Sequence, residues 1–170
     1  MINNISDDFY TNRKIGENEN YICKLIRNDS IDDFIIYVNQ KNIPLTSLVN
    51  PSIFETNSFL IKKQIKPKYG ISELTLIAYA TFYGSIRILQ YLKMNNVDLT
   101  PSLYIFAIHS QNAEIIQLLE ENNIKPMPLK NDFIYSSRRK SNMDQCFECY
   151  IESIKCHHND IVNYIQTNLL

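Results

Sequence analysis

The chain has only 3 glycines and 4 cysteines in 170 residues, and its formal net charge is -1. Each scarcity excludes something. With so little glycine, and little alternation of apolar and polar residues, a sheet of strands joined by tight turns fits poorly. Helices joined by polar turns are expected instead. The 4 cysteines have no framework spacing, so reduced thiols in a cytoplasmic setting are the expectation. A balance of 17 basic against 18 acidic residues gives no broad field to draw in nucleic acid or an anionic membrane. No apolar run reaches the length needed to span a bilayer. The opening Met1-Ile-Asn-Asn-Ile-Ser-Asp-Asp8 lacks the basic and apolar regions of a secretion signal. What is present is a 45% hydrophobic share, enough for a sizeable core in one domain or one short array of repeats.

Apolar spacing divides the chain. Residues 1–20 are polar and expected to be loosely ordered. Residues 21–70 read as an N-terminal helical region, with Ile22, Leu25 and Ile26 on one stripe and Ile31, Phe34, Ile35 and Val38 on the next. Pro51-Ser-Ile-Phe-Glu55 is expected to open a further helix, since Ser52 and Glu55 have capping-box spacing. Its buried side would hold Ile53, Phe54, Leu60 and Ile61. The basic stretch from Lys62 to Gly70 reads as a loop. Residues 71–170 then carry a repeated helix–turn–helix design, with turns at Gly84-Ser85, Gln111-Asn112 and His157-His158 and an insertion near 126–144. Ser72, Ser85 and Thr100-Pro101 are the expected helix starts. Leu89 and Ile116 are expected to serve two interfaces each, and Tyr150, Ile151 and Ile154 to lead into the last turn.

Three segments carry a family resemblance: Ala80-Thr-Phe-Tyr-Gly-Ser-Ile-Arg-Ile-Leu-Gln-Tyr-Leu92, Ala107-Ile-His-Ser-Gln-Asn-Ala-Glu-Ile-Ile-Gln-Leu-Leu119 and Ser153-Ile-Lys-Cys-His-His-Asn-Asp-Ile-Val-Asn-Tyr-Ile165. They resemble the second half of the ankyrin repeat, A-A-x-x-G-H-x-E-I-V-x-L-L. A fainter copy runs from Ile26 to Phe34. Residues 51–61 resemble the helical segment that precedes ankyrin repeats in large protist families. The resemblance implies an all-α, ankyrin-like solenoid of stacked antiparallel helix pairs with an N-terminal helical extension. It implies a protein–protein interaction module, without catalysis or cofactor, that binds a partner protein on its concave face. The two positions before each turn would line that face: Phe82 and Tyr83, His109 and Ser110, Lys155 and Cys156. The glycine of the turn survives only at Gly84. Gln111 and His157 stand in its place, with a steric cost if the turn needs a positive φ.

The donor residues also admit other chemistry. Cys146, Cys149, Cys156, His157 and His158 have the donor types of a zinc or cysteine enzyme. On one helix, however, Cys146 and Cys156 would stand about 15 Å apart, and no oxyanion loop accompanies them. Small residues packing between helices is the plainer reading of these cysteines and Ser153. Self-association as a structural protein is the third reading. Ser136-Ser-Arg-Arg-Lys-Ser141 is a basic loop with phosphorylatable serines, or simply a solvated one.

Overall fold

The computed structural model describes residues 7–65, 74–125 and 145–168. The insertion near 126–144 and the Ser136–Ser141 basic run lie outside the described residues. The described chain is all-α. Its helices are α1 (Asp7–Ile15), α2 (Tyr21–Arg27), α3 (Ile31–Lys41), α4 (Ser58–Ile65), α5 (Leu76–Tyr83), α6 (Ile86–Met94), α7 (Leu103–Ser110), α8 (Ala113–Glu121), α9 (Gln145–Lys155) and α10 (Asn159–Asn168). No strand forms among the described residues; an isolated antiparallel bridge joins Leu48 to Thr75.

Eight of these helices form four hairpins: α2/α3, α5/α6, α7/α8 and α9/α10. Their first helices pack side by side in the order α2, α5, α7, α9, while α3 packs on α6 behind them. The sequence explains why the middle of this row is so well covered. Every residue of α5 from Leu76 to Phe82 is buried, as is every residue of α7 from Leu103 to Ile108. A helix apolar on all sides must be enclosed on all sides, and a hairpin alone cannot do that. Small side chains stand at the matched positions Ala80, Ala107 and Ser153, all buried, so neighbouring helices approach closely.

The turns repeat one backbone device. Asp29, Gly84, Gln111 and His157 all take positive φ, at 47°, 72°, 53° and 58°. At three of the four, the residue after the turn donates to a carbonyl five positions back: Ser30 to Leu25, Ser85 to Ala80 and His158 to Ser153. These are the 6→1 bonds of a left-handed helix stop. Asn42, Asn96 and Asn123 end the second helices of the first three hairpins in the same way. Asparagine tolerates this conformation better than most side chains. The turns also bond to one another along the row. Ser85 Oγ donates to Ile26 O at 2.5 Å, and Asn112 Nδ2 donates to Gly84 O at 3.1 Å. Asp29 Oδ2 and Oδ1 accept from the N–H groups of Arg87 and Ile88, both at 3.0 Å. The first hairpin thus caps a helix of the second.

Several expectations need correction. Residues 7–15, read as loose, form α1, whose Phe9 ring meets Phe54 edge-on at 5.4 Å. Pro51 does not open a helix, which begins only at Ser58. Asn57, not Ser52, accepts from the first free N–H groups, those of Phe59 and Leu60. Ser52 Oγ is instead hydrogen-bonded to Glu19 and Phe54 N, and Ile53 is exposed. α4 continues through Lys62 and Lys63, into the stretch expected to be loop. Ser72 lies outside the described residues; Thr75 caps α5 by accepting from Ala78 N at 3.3 Å. α7 begins at Leu103, after a turn at Pro101-Ser102. Leu89 is fully buried, but Ile116 is only half-buried, and Ile115 fills the core beside it. On α9 it is Cys149 and Ser153 that are buried, while Ile151 and Ile154 are exposed.

Candidate functional site

The positions just before each turn come from successive hairpins, so row packing sets them side by side. Two positions before the turn stand Arg27, Phe82, His109 and Lys155; one before it stand Asn28, Tyr83, Ser110 and Cys156. The strip is continuous where its contacts are recorded. Arg27 lies over the Tyr83 ring at 5.9 Å, the Phe82 ring stacks on His109 at 5.2 Å, and His109 Nδ1 is 3.4 Å from Cys156 Sγ.

Part of this strip is covered by the chain itself. Phe59, on α4, stacks on Phe82 at 5.9 Å and 12°, meets Phe106 edge-on at 5.4 Å and lies 4.2 Å from His109. Lys63, one turn on, sits over the Phe59 and Phe106 rings at 5.1 and 5.8 Å. Phe82 is therefore only 8% exposed and packs inward rather than presenting an anchor. Tyr83 and Ser110 are half-buried and Lys155 is exposed. Ser110 Oγ turns back to Ala107 O at 2.7 Å.

The N-terminal end of the strip is braced by Arg27. Its Nη1 donates to Asn18 O at 2.8 Å and to the Tyr79 hydroxyl at 2.9 Å, and its Nε pairs with Glu17 at 2.9 Å. Burial pushes the Tyr83 phenol up to about 12, and raises Tyr79 further still. Burial also lifts the Cys23 thiol, beneath them, to about 12.

The other end holds the densest chemistry. Glu152 and Cys156 are four apart, so they share one side of α9, and both face His109 on α7. Glu152 Oε2 is 3.3 Å from His109 Nε2, and Glu152 Oε1 takes Lys155 Nζ at 2.6 Å. One ligand atom from each of His109, Glu152 and Cys156 falls within 4.8 Å of the other two. His109 Nε2 is buried and has no aligned hydrogen bond, and the same holds for His158 Nε2. Burial lowers the His109 imidazole, against the pull of the Glu152 carboxylate. Burial also raises the Cys156 thiol, with the same carboxylate adding to it. The pair therefore stands as neutral imidazole and neutral thiol near pH 7. That is opposite to the thiolate–imidazolium pair of a cysteine nucleophile.

Of Cys149, Cys156, His157 and His158, the described donors read as zinc or cysteine-enzyme candidates, Cys156 alone enters this cluster through its side chain. Cys149 is buried, His157 is exposed at the turn, and the Cys146 side chain lies outside the described residues. In the sequence His109 is only one of the pre-turn positions, whereas the fold brings Cys156 and Glu152 to it. Sequence reasoning missed Glu152, Arg27 and Phe59. The four-residue spacing of Glu152 and Cys156 was a visible signal for the first, and the faint copy at Ile26–Phe34 was one for Arg27. Nothing local marks Phe59 as a cover for the strip. Compared with family models, curated proteins and solved structures, the chain matches none.

Proposed function

We propose that this chain is an interaction module: an ankyrin-like row of helix hairpins that binds a partner protein along its pre-turn strip, without chemistry on the partner. The observation that carries the reading is the continuity of that strip across hairpins, from Arg27 through Tyr83 and His109 to Cys156. Repeats that stack this way build an extended surface from equivalent positions, each open to change without loss of the fold. The matched left-handed turns at Asp29, Gly84, Gln111 and His157 support treating those positions as equivalent. The coverage of Phe82 by α4 narrows the surface on offer to Tyr83, Ser110, Lys155 and their neighbours. Tyr83 supplies the aromatic side chain typical of an interface centre, and the thiol and imidazole, both neutral near pH 7, give no nucleophile that would favour an enzyme.

The test is capture of partners from the native cell by the tagged full chain. Tyr83→Ala combined with Ser110→Arg is expected to release the specific partner. Gln90→Arg with Gln117→Arg, on the exposed sides of α6 and α8, is expected to leave it bound. Retention by the strip variant and release by the α6/α8 variant would overturn the proposal.

A further inference from the structure

We propose that His109, Glu152 and Cys156 form a divalent transition-metal site of the zinc type, joining α7 to α9. The inference stands apart from partner binding and needs no partner. Nitrogen, sulfur and carboxylate oxygen are the donor types zinc takes, with three protein ligands leaving one position open. In a tetrahedral site with Zn–S of about 2.3 Å and Zn–N or Zn–O of about 2.0–2.2 Å, ligand atoms stand roughly 3.3–3.6 Å apart. Cys156 Sγ and His109 Nδ1 are already 3.4 Å apart. The full set lies within 4.8 Å, so the three donors need draw together by only about an ångström to share one ion.

The backbone holds these donors in place. Glu152 O accepts from Cys156 N at 2.9 Å, which keeps Cys156 in helical register although α9 ends at Lys155. His109 is wedged between the Phe59 and Phe82 rings, at 4.2 and 5.2 Å. The independent sign of a missing ligand is the buried, unbonded nitrogen. His109 Nε2 is 3.3 Å from Glu152 Oε2 but misaligned with it. Such groups normally find a partner. The ion takes the ring nitrogen that faces the closed site, and the other ring N–H is left to donate to a carboxylate or water, as metal-bound histidines do. Binding replaces the Cys156 S–H with S–metal and releases that proton to solvent, so affinity rises with pH.

The experiment uses the full chain, reduced, prepared without a histidine tag, and titrated with cobalt(II) alone. The expected result is a tetrahedral visible spectrum with a thiolate charge-transfer band, saturating at one ion per chain and displaced by zinc. Zinc should raise the melting midpoint. Cys156→Ser should remove the charge-transfer band, and His109→Gln or Glu152→Gln should weaken binding at least tenfold. His157→Asn, which suits the left-handed turn, should change neither. Circular dichroism of each variant without metal shows whether it has folded. Should Cys156→Ser fail to fold, the His109→Gln and Glu152→Gln affinities decide. Absence of a tetrahedral spectrum would overturn the proposal. So would a band that survives Cys156→Ser but disappears in Cys149→Ser, or affinities unchanged by both His109→Gln and Glu152→Gln.

Discussion

Asp29 belongs to the first hairpin, yet its carboxylate accepts from Arg87 N and Ile88 N at the start of α6, both at 3.0 Å. Replacing it by alanine removes three contributions. Loss of an N-cap acceptor costs about 1 kcal/mol, up to about 2. Loss of a negative charge beside the positive end of a helix adds about 0.3–1 kcal/mol. Alanine at φ 47° adds up to about 1 kcal/mol, because it lacks the polar side chain that eases left-handed backbone. The expected destabilisation of Asp29→Ala is about 2–3 kcal/mol, or roughly 5–10 °C in melting midpoint for a chain of this size. Asp29→Asn keeps one acceptor and the backbone preference, so it should cost least. Asp29→Gly relieves the backbone but loses the cap, and should fall between. Urea melts followed by circular dichroism read all three. Because the contact joins two hairpins, the midpoint should move as a single transition. An Asp29→Ala midpoint equal to the parent, or glycine costing more than alanine, would refute the reasoning.

The turns give a paired prediction. Gly84→Ala should destabilise by about 1–2 kcal/mol from its φ of 72°, and more if the 3.3 Å contact with Asn112 Cβ cannot yield. Gln111→Gly should be neutral or stabilising by up to about 1 kcal/mol; the urea midpoint should fall for Gly84→Ala and hold or rise for Gln111→Gly. Phe59→Ala should destabilise by about 2–4 kcal/mol, less than a fully buried ring because Phe59 is partly exposed. The same change should uncover Phe82, read as increased binding of a hydrophobic dye. At alkaline pH the unfolded Tyr83 gives up its proton near 10, while the folded one keeps it to about 12. Stability is therefore full below pH 10 and falls as pH rises through that window. Tyr83→Phe should flatten that share of the decline in unfolding free energies measured between pH 9 and 12.

Local pattern in the sequence carried the hairpins and their turns, because each rests on spacing within a dozen residues. The stripe at Ile31, Phe34 and Val38 and the left-handed positions Gln111 and His157 are of this kind. The start of α4 was not legible in the same way. Ser52 and Glu55 have capping spacing, but Ser52 is held by Glu19, which is 33 residues away. The surface character of α9 misled for a related reason. Ile151 and Ile154 are the larger apolar residues, yet the close approach of α7 admits only Cys149 and Ser153. The cluster at His109 needed the fold itself, since α7 and α9 meet only after the row has been laid down. The Lys62–Gly70 stretch shows the same limit, since Lys63 is held over two aromatic rings by tertiary contact and not by its own propensity.

Hydrogen exchange on the full chain tests the row most directly, because among the described helices α5 and α7 alone have first-helix neighbours on both sides and are buried along almost their whole length. Their amides should exchange slowest, and Leu89→Ala should speed exchange in α2 and α7 together with α5 and α6. If α5 and α7 exchange as fast as α10, or if the Leu89→Ala effect stays within its own hairpin, the hairpins do not support one another.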